Sequence, residues 1–282
     1  MRVHLRFSPI YSAFSGALTT MKILITGSKG TVGQAVAHAA QTSGHIAIGW
    51  DRSAADPLDL ASHGPYIDSV APDAIIHLGV AATPTGRDNE GWRTTVDWSL
   101  ALADAAAQRK LPYVFTSTAL VFDNSVSGPF TLASASNARE GYGFEKRCAE
   151  HGVLLRYPSG TRVARLGWQI DPAGQGNNMV AHAHREMGAH GQVGASTRWQ
   201  PACSFIDDTA AALLRLLAAP PGLYMLDSNR GANFADILQA LSDQYHFNWQ
   251  ISRNEDYVYD QRLIDPRPGL PDLAIRLPAL RG

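Results

Sequence analysis

From residue 21 onward the chain alternates short apolar runs with longer stretches whose apolar residues recur at helical spacing. Lys22-Ile-Leu-Ile-Thr26, His45-Ile-Ala-Ile-Gly-Trp50, Ala74-Ile-Ile-His-Leu78 and Pro112-Tyr-Val-Phe-Thr116 read as strands. Their apolar character is nearly continuous, which suits strands buried on both faces of a parallel sheet. Between and after them, Thr31 to Gln41, Trp92 to Arg109 and Tyr142 to His151 read as helices. Strands alternating with helices of this length predict βαβ units, hence an α/β, doubly wound parallel sheet.

The regularity fades past residue 170. Asp171-Pro-Ala-Gly-Gln-Gly-Asn-Asn178 reads as a loop, and Asp207 to Ala219 as a helix with one apolar stripe. From Asn254 the chain is rich in Pro, Asp and Arg. The expected organisation is a main domain over 21–170 and a small irregular lobe over 171–282, some of whose segments return to the core. Residues 1–20 carry Arg2 and Arg6 and no acidic residue, and His4, Arg6, Ser8 and Pro9 break up any apolar stretch. They are expected to be an extension, either disordered or a misassigned start ahead of Met21.

Composition narrows the class. Hydrophobic residues make up 45% and charged residues 17% of 282, and the formal net charge is −1 with Lys and Arg scattered. That balance supplies no footprint for nucleic acid or a membrane surface. No apolar run approaches the ~18 residues of a membrane span. Cys148 and Cys203 have no metal-ligand spacing and read as free thiols of a cytoplasmic protein. The ten histidines form no H-E-x-x-H set, His182 and His184 read as structural, and no metal is expected. Gly-x-Ser-x-Gly, the nucleophile elbow of a hydrolase, is missing.

The candidate chemistry begins at Gly27-Ser-Lys-Gly30-Thr31-Val32-Gly33, between the first strand and the first helix. Glycines there permit a tight turn and a close backbone approach, and the helix N-terminus offers N–H groups to a pyrophosphate. A glycine turn without a ligand is the alternative. Asp51 ends the second strand, where a carboxylate accepts hydrogen bonds from an adenosine ribose and repels a 2′-phosphate. This favours NAD, while the adjacent Arg52 leaves NADP open. Asp59 and Leu60 either border the adenine or belong to a plain surface loop.

Tyr142-Gly-Phe-Glu-Lys146 puts a tyrosine and a lysine on one helical face. A free phenol has a pKa near 10, and an ammonium beside it favours the phenolate. Ser117-Thr118-Ala119 follows the fourth strand, where the carboxyl ends of a parallel sheet open into a ligand crevice. A hydroxyl there donates to a substrate oxygen or caps the following turn.

Together these segments, T-G-S-K-G-T-V-G, V-F-T-S-T-A-L-V-F-D and Y-G-F-E-K, resemble the extended short-chain dehydrogenase/reductase family, also called the NAD-dependent epimerase/dehydratase family. Within it the chain looks most like dTDP-4-dehydrorhamnose reductases and their sugar-nucleotide-binding relatives. That rests on S-T-A-L-V-F-D at 117–123, G-Q-G-N-N at 174–178, G-L-Y-M-L at 222–226 and R-P at 267–268.

The resemblance implies a Rossmann-type NAD(P)-binding domain with a C-terminal substrate lobe. It implies Thr118, Tyr142 and Lys146 as the catalytic group, the last two also holding the cofactor. Gly27, Gly30, Thr31, Val32 and Gly33 would hold the pyrophosphate, Asp51 the ribose with Arg52 beside it able to pair with a 2′-phosphate, and Asp59 with Leu60 the adenine side. Gly79, Val80 and Ala81 would line the cofactor, while Ala119, Trp168 and Asn178 would face the substrate with Thr118.

The chain departs from the reductases in three places. Ala119 stands where they have aspartate, as in many epimerases. Thr95 replaces an asparagine, and Gln200-Pro-Ala-Cys203 lacks their Pro-Thr. The implied activity is hydride transfer to or from a keto or hydroxyl carbon of a small molecule, a nucleotide-linked sugar. Tyr142 would serve as proton donor, Thr118 as orienting group and Lys146 as the group lowering the tyrosine pKa. An epimerase or dehydratase, and a non-catalytic nucleotide-binding regulatory subunit, are the alternatives. A homodimer is left open.

Overall fold

The computed structural model describes residues 20–81 and 85–281. The expectation for the N-terminal extension therefore lies, except for Thr20, outside the described residues. Six parallel strands form the central sheet, in the order β11 (Gly222–Leu226), β6 (Thr161–Leu166), β4 (Tyr113–Thr118), β3 (Ala74–His77), β1 (Lys22–Thr26) and β2 (Ile46–Gly49). The first four elements are β1 (Lys22–Thr26), α1 (Thr31–Thr42), β2 (Ile46–Gly49) and α2 (Leu60–Val70). Next come β3 (Ala74–His77), α3 (Glu90–Trp92), α4 (Trp98–Arg109) and β4 (Tyr113–Thr118). After the short β5 (Phe130–Thr131), α5 (Gly141–Arg156) leads into β6 (Thr161–Leu166).

Burial explains the strands. Ile23, Leu24 and Ile25 of β1 and Ala74, Ile75 and Ile76 of β3 are fully buried, as doubly covered parallel strands require. The β2 edge is different, with Ile46 51% exposed. One face of the sheet is covered by a core that includes Ile67, Leu102, Ala106, Phe115 and Val153. The opposite core joins Val36 and Ala40 of α1 to Ala210 and Leu213 of α7 (Ile206–Leu216). Strand order reverses between β1 and β3, which are neighbours although β2 lies between them in sequence, and a crevice opens at such a switch point.

Three features differ from the sequence reading. α2 is a helix that the sequence reading does not assign, because Pro65 and Gly64 interrupt its apolar pattern. β6 carries Arg162 and Arg165, which disguise it as a surface segment, although Arg165 is buried. The helix expected from Trp92 is continuous from Glu90 to Arg109 but passes through a π-helical turn at Arg93–Asp97.

Past β6 the chain forms β7 (Trp168–Ile170), α6 (Met179–His190), β8 (Val193–Ser196), β9 (Trp199–Gln200) and β10 (Cys203–Phe205). After α7, β11 (Gly222–Leu226) returns to the central sheet beside β6. The remaining elements are α8 (Phe234–Tyr245), β12 (Ile251–Asn254), β13 (Tyr259–Asp260), β14 (Leu263–Ile264) and α9 (Leu273–Arg276). A separate core of Ile170, Met179, Phe205, Ile237 and Leu241 holds this lobe together. Among the described residues no helix is long and apolar enough to cross a membrane.

Candidate active site

The turn after β1 is built for backbone proximity. Gly27 has φ +65°, and a Cβ on Gly33 would lie 2.1 Å from the Gly27 carbonyl oxygen. Only glycine fits either position without displacing backbone. Gly30 is the N-cap of α1, and no side chain caps the helix. The first N–H groups of α1 therefore point toward the crevice without a side-chain acceptor, with Thr31 and Val32 in the first turn.

A pocket of about 370 Å³ lies along the crevice, lined by residues that include Arg52, Asp56, Leu58, Val80, Ala81 and Thr94. Val80 and Ala81, two of these lining residues, follow Gly79 directly after β3. Asp51 is exposed, and its carboxylate accepts from the Ser53 N–H at 2.9 Å and the Ser53 hydroxyl at 2.6 Å. Those bonds, the hydroxyl's first, hold it below the usual carboxylate range. Asp59 is the N-cap of α2, and Leu60 lines another pocket, with His63, Leu100 and Asp104. In the crevice pocket itself the lining residues of this segment are Asp56, Pro57 and Leu58. Arg87 pairs with both oxygens of Asp56 at 2.9 and 2.6 Å across the pocket rim. Nothing in the sequence pattern signals that partnership, because neither residue belongs to a motif.

At the far end of the crevice α5 meets the end of β4. A Cβ on Gly143 would lie 2.0 Å from the Leu120 carbonyl oxygen. This backbone contact seats Tyr142 next to the 3₁₀ turn (Ala119–Val121) that follows Thr118. The Thr118 hydroxyl accepts from the Leu120 N–H at 3.2 Å, so it caps the turn and keeps its hydrogen to donate. Ala119 is 4% exposed and packs in a small core with Val121, Phe122 and Phe130.

Lys146 is buried below Tyr142. Its Nζ donates to the Thr116 carbonyl at 2.8 Å, 4.6 Å from the centre of the Phe115 ring and 5.8 Å from that of Tyr142. Burial pushes the ammonium down to about 7, against the pull of Glu150 and Glu145. Burial, then the Glu145 charge, pushes the Tyr142 phenol up to about 12. Water at the residue, which is 43% exposed, tempers that rise. Burial is the first cause at both residues, so each group is pushed toward its neutral form. The phenol therefore carries its proton at neutral pH. Behind it, Glu150 and Arg165 form a bidentate ion pair at 2.8 and 2.7 Å.

On the lobe side Trp168 sits in an aromatic cluster, with ring centres 5.3 Å from His182, 5.8 Å from Phe234 and 6.0 Å from Trp199. Asn178 is fully buried, and both ends of its amide are spent locally, on the Ala181 N–H and the Gln175 carbonyl. It caps α6. Its neighbours reach the crevice instead: the Asn177 N–H points to the Thr31 hydroxyl at 3.4 Å, and Gly176 packs on the same side chain.

The family model for the RmlD substrate binding domain matches residues 21–221. The chain belongs to that family. No curated protein matches it. Solved structures of similar fold include a dTDP-4-dehydrorhamnose reductase from Bacillus anthracis in complex with NADP. It is 14% identical with a TM-score of 0.76, over 92% of this chain and 98% of that one. The ADP-L-glycero-D-manno-heptose-6-epimerase of Helicobacter pylori is 18% identical with a TM-score of 0.74, over 90% and 91%. Bordetella bronchiseptica WbmH, in complex with NAD+, is 17% identical with a TM-score of 0.73, over 88% and 90%. At these identities the likeness to solved structures is one of fold. For this RmlD-family chain the chemistry rests on the residues gathered at the crevice.

Proposed function

We propose that the protein is an NAD(P)-dependent oxidoreductase of the extended short-chain type. It acts on a keto or hydroxyl carbon of a nucleotide-linked sugar, as a dTDP-4-dehydrorhamnose reductase. The observation that carries this reading is the backbone contact of Gly143 with Leu120, which brings Tyr142 and buried Lys146 to the turn capped by Thr118.

The crevice fits a dinucleotide on its own geometry. Gly27 and Gly33 leave no room for a side chain, α1 starts uncapped at Gly30, and Val80 and Ala81 wall the pocket. Bound there, a nicotinamide dinucleotide supplies the hydride. Tyr142 delivers its proton to the substrate oxygen as that oxygen gains charge. Thr118 donates its hydroxyl hydrogen to the same oxygen and orients it. Lys146 braces the phenol from below. Arg52 in the pocket, and an Asp51 carboxylate engaged by Ser53, support acceptance of a 2′-phosphate as well as a 2′-hydroxyl. Free Cys148 and Cys203 support a cytoplasmic enzyme, and the near-neutral charge with scattered Lys and Arg supports a small-molecule substrate with no nucleic-acid or membrane partner.

An epimerase or dehydratase is the second reading, supported by Ala119 in place of the reductases' aspartate. The two differ in bookkeeping of reducing equivalents. Incubating the enzyme with nucleotide-linked keto-sugars and NADH or NADPH should consume reduced nicotinamide stoichiometrically if it is a reductase. Product formation without net consumption would establish the second reading, and cofactor binding without any turnover would mark a regulatory subunit.

A further inference from the structure

His77, at the end of β3, is fully buried and has no part in the chemistry above. Its Nδ1 lies 2.6 Å from the Thr26 hydroxyl at the end of β1, and its Nε2 lies 2.9 Å from the Ser99 hydroxyl in α4. The direction of each bond follows from counting lone pairs. Thr26 Oγ1 already accepts from the Leu78 N–H at 3.0 Å and the Gly79 N–H at 2.9 Å. A hydroxyl has two acceptor sites and one hydrogen, so the hydrogen is what faces Nδ1. Nδ1 is therefore bare and Nε2 carries the proton, which it donates to Ser99. The Ser99 hydroxyl in turn donates to the Thr95 carbonyl at 2.7 Å, in the π-helical turn.

Every donor in this one-way chain, Thr26 to His77 to Ser99 to Thr95, has one acceptor. A proton added at Nδ1 would face an oxygen with no lone pair to offer. Burial, then the Lys146 charge, also holds the imidazole well below its usual pKa.

The chain of bonds ends under the crevice. Thr26 gathers two successive N–H groups and so pulls the Leu78–Gly79 strap down onto the glycine turn. A Cβ on Gly27 would lie 3.0 Å from the Leu78 carbonyl carbon and oxygen, so the two backbones touch. From above, Trp98 packs on Gly79 so closely that a Cβ there would meet it at 2.4 Å, and Trp98 also meets the His77 ring edge-on at 4.8 Å. Val80 and Ala81, which wall the pocket, follow directly from this strap.

We propose that His77 is a positioning residue for the dinucleotide crevice, fixing the Thr26 hydroxyl so that it holds the Leu78–Gly79 strap against the phosphate-binding turn. The proposal rests on the nicotinamide dinucleotide reading for its ligand, and on the hydrogen-bond directions alone for its mechanism.

Two pairs of variants in the full chain test it: His77→Leu against His77→Asn, and Thr26→Val against Thr26→Ser. Asparagine can still accept from Thr26, and serine keeps the hydroxyl. Dissociation constants for NADH and NADPH are read from tryptophan fluorescence, the strap from amide exchange at Leu78 and Gly79, and the His77 tautomer from nitrogen-15 NMR. His77→Leu and Thr26→Val should weaken dinucleotide binding roughly tenfold or more and accelerate exchange at Gly79. His77→Asn and Thr26→Ser should stay close to wild type in both, and wild type should show the Nε2–H tautomer. An Nδ1–H tautomer overturns the proposal. So does a folded His77→Leu protein with wild-type affinity and unchanged Gly79 exchange. Should His77→Leu fail to fold, unchanged affinity and exchange in Thr26→Val overturn it instead. A wild type that binds neither dinucleotide sinks the functional reading, while Gly79 exchange and the tautomer still decide the role of His77.

Discussion

Gly143 and the carbonyl of Leu120 are in backbone contact, with only 2.0 Å between that oxygen and the place a Cβ would occupy. Through it the helix bearing Tyr142 and Lys146 is registered against the turn that follows Thr118. Helix propensity alone would make Gly143→Ala stabilising by up to about 1 kcal/mol. Overpacking against a carbonyl should reverse the sign, costing roughly 1–3 kcal/mol, and cut turnover at least about tenfold. Urea unfolding and steady-state rates check both. A more stable, fully active variant would show that α5 has slack there.

Lys146 makes a pH-dependent claim on stability. Its amine is held at about 7 in the folded chain, against the usual 10.5. Between those values the unfolded chain binds a proton that the folded one does not, so stability should rise with pH across the window. At and below pH about 7 the whole cost of charging a buried amine is present. Lys146→Met should therefore be more stable than wild type near neutral pH by an amount on the order of several kcal/mol, and should lose the rise toward pH about 10. Parallel pH slopes for the two proteins would mean that the amine is solvated.

The Glu150–Arg165 pair behind Lys146 is buried, with side chains 3% and 5% exposed. Arg165→Met strands a carboxylate in the core and should cost roughly 3–5 kcal/mol. The double variant Glu150→Leu/Arg165→Met removes both charges of the pair and should be less destabilised than Arg165→Met alone. Denaturant midpoints for the four proteins form the cycle, and simple additivity would refute a coupled pair.

Arg52 lines the pocket, while the Asp51 carboxylate is bound to Ser53. Arg52→Ala should weaken NADPH more than NADH, and the NADPH loss should shrink at high salt. Equal losses for the two dinucleotides would place Arg52 away from the 2′ position.

Some of this was legible in the residues. Buried strands such as Ile23-Leu24-Ile25 announce themselves by continuous apolar character, and the glycine spacing after β1 marks a turn that side chains would block. The site hydroxyl at Thr118 and the Tyr142–Lys146 spacing were also visible. Other features were not, because they depend on partners distant in sequence. Arg165 looks solvent-exposed until Glu150 is found beside it, and Asp56 enters the crevice through Arg87. Burial of Tyr142 and Lys146, the first cause of both pKa shifts, is likewise absent from their spacing. Spacing shows that two groups are close, but only burial shows what it costs to charge them.

The central claim is that Tyr142 protonates a substrate oxygen as hydride arrives from a nicotinamide. Its most direct test is oxidation of NADH and NADPH, followed by absorbance, with dTDP-4-dehydrorhamnose and other nucleotide-linked keto-sugars, for wild type and Tyr142→Phe. Wild type should oxidise the nicotinamide in step with product. Tyr142→Phe should be slower by a factor on the order of 10² or more, with dinucleotide binding close to wild type. A Tyr142→Phe enzyme that keeps the full rate on the substrate wild type reduces would contradict the account.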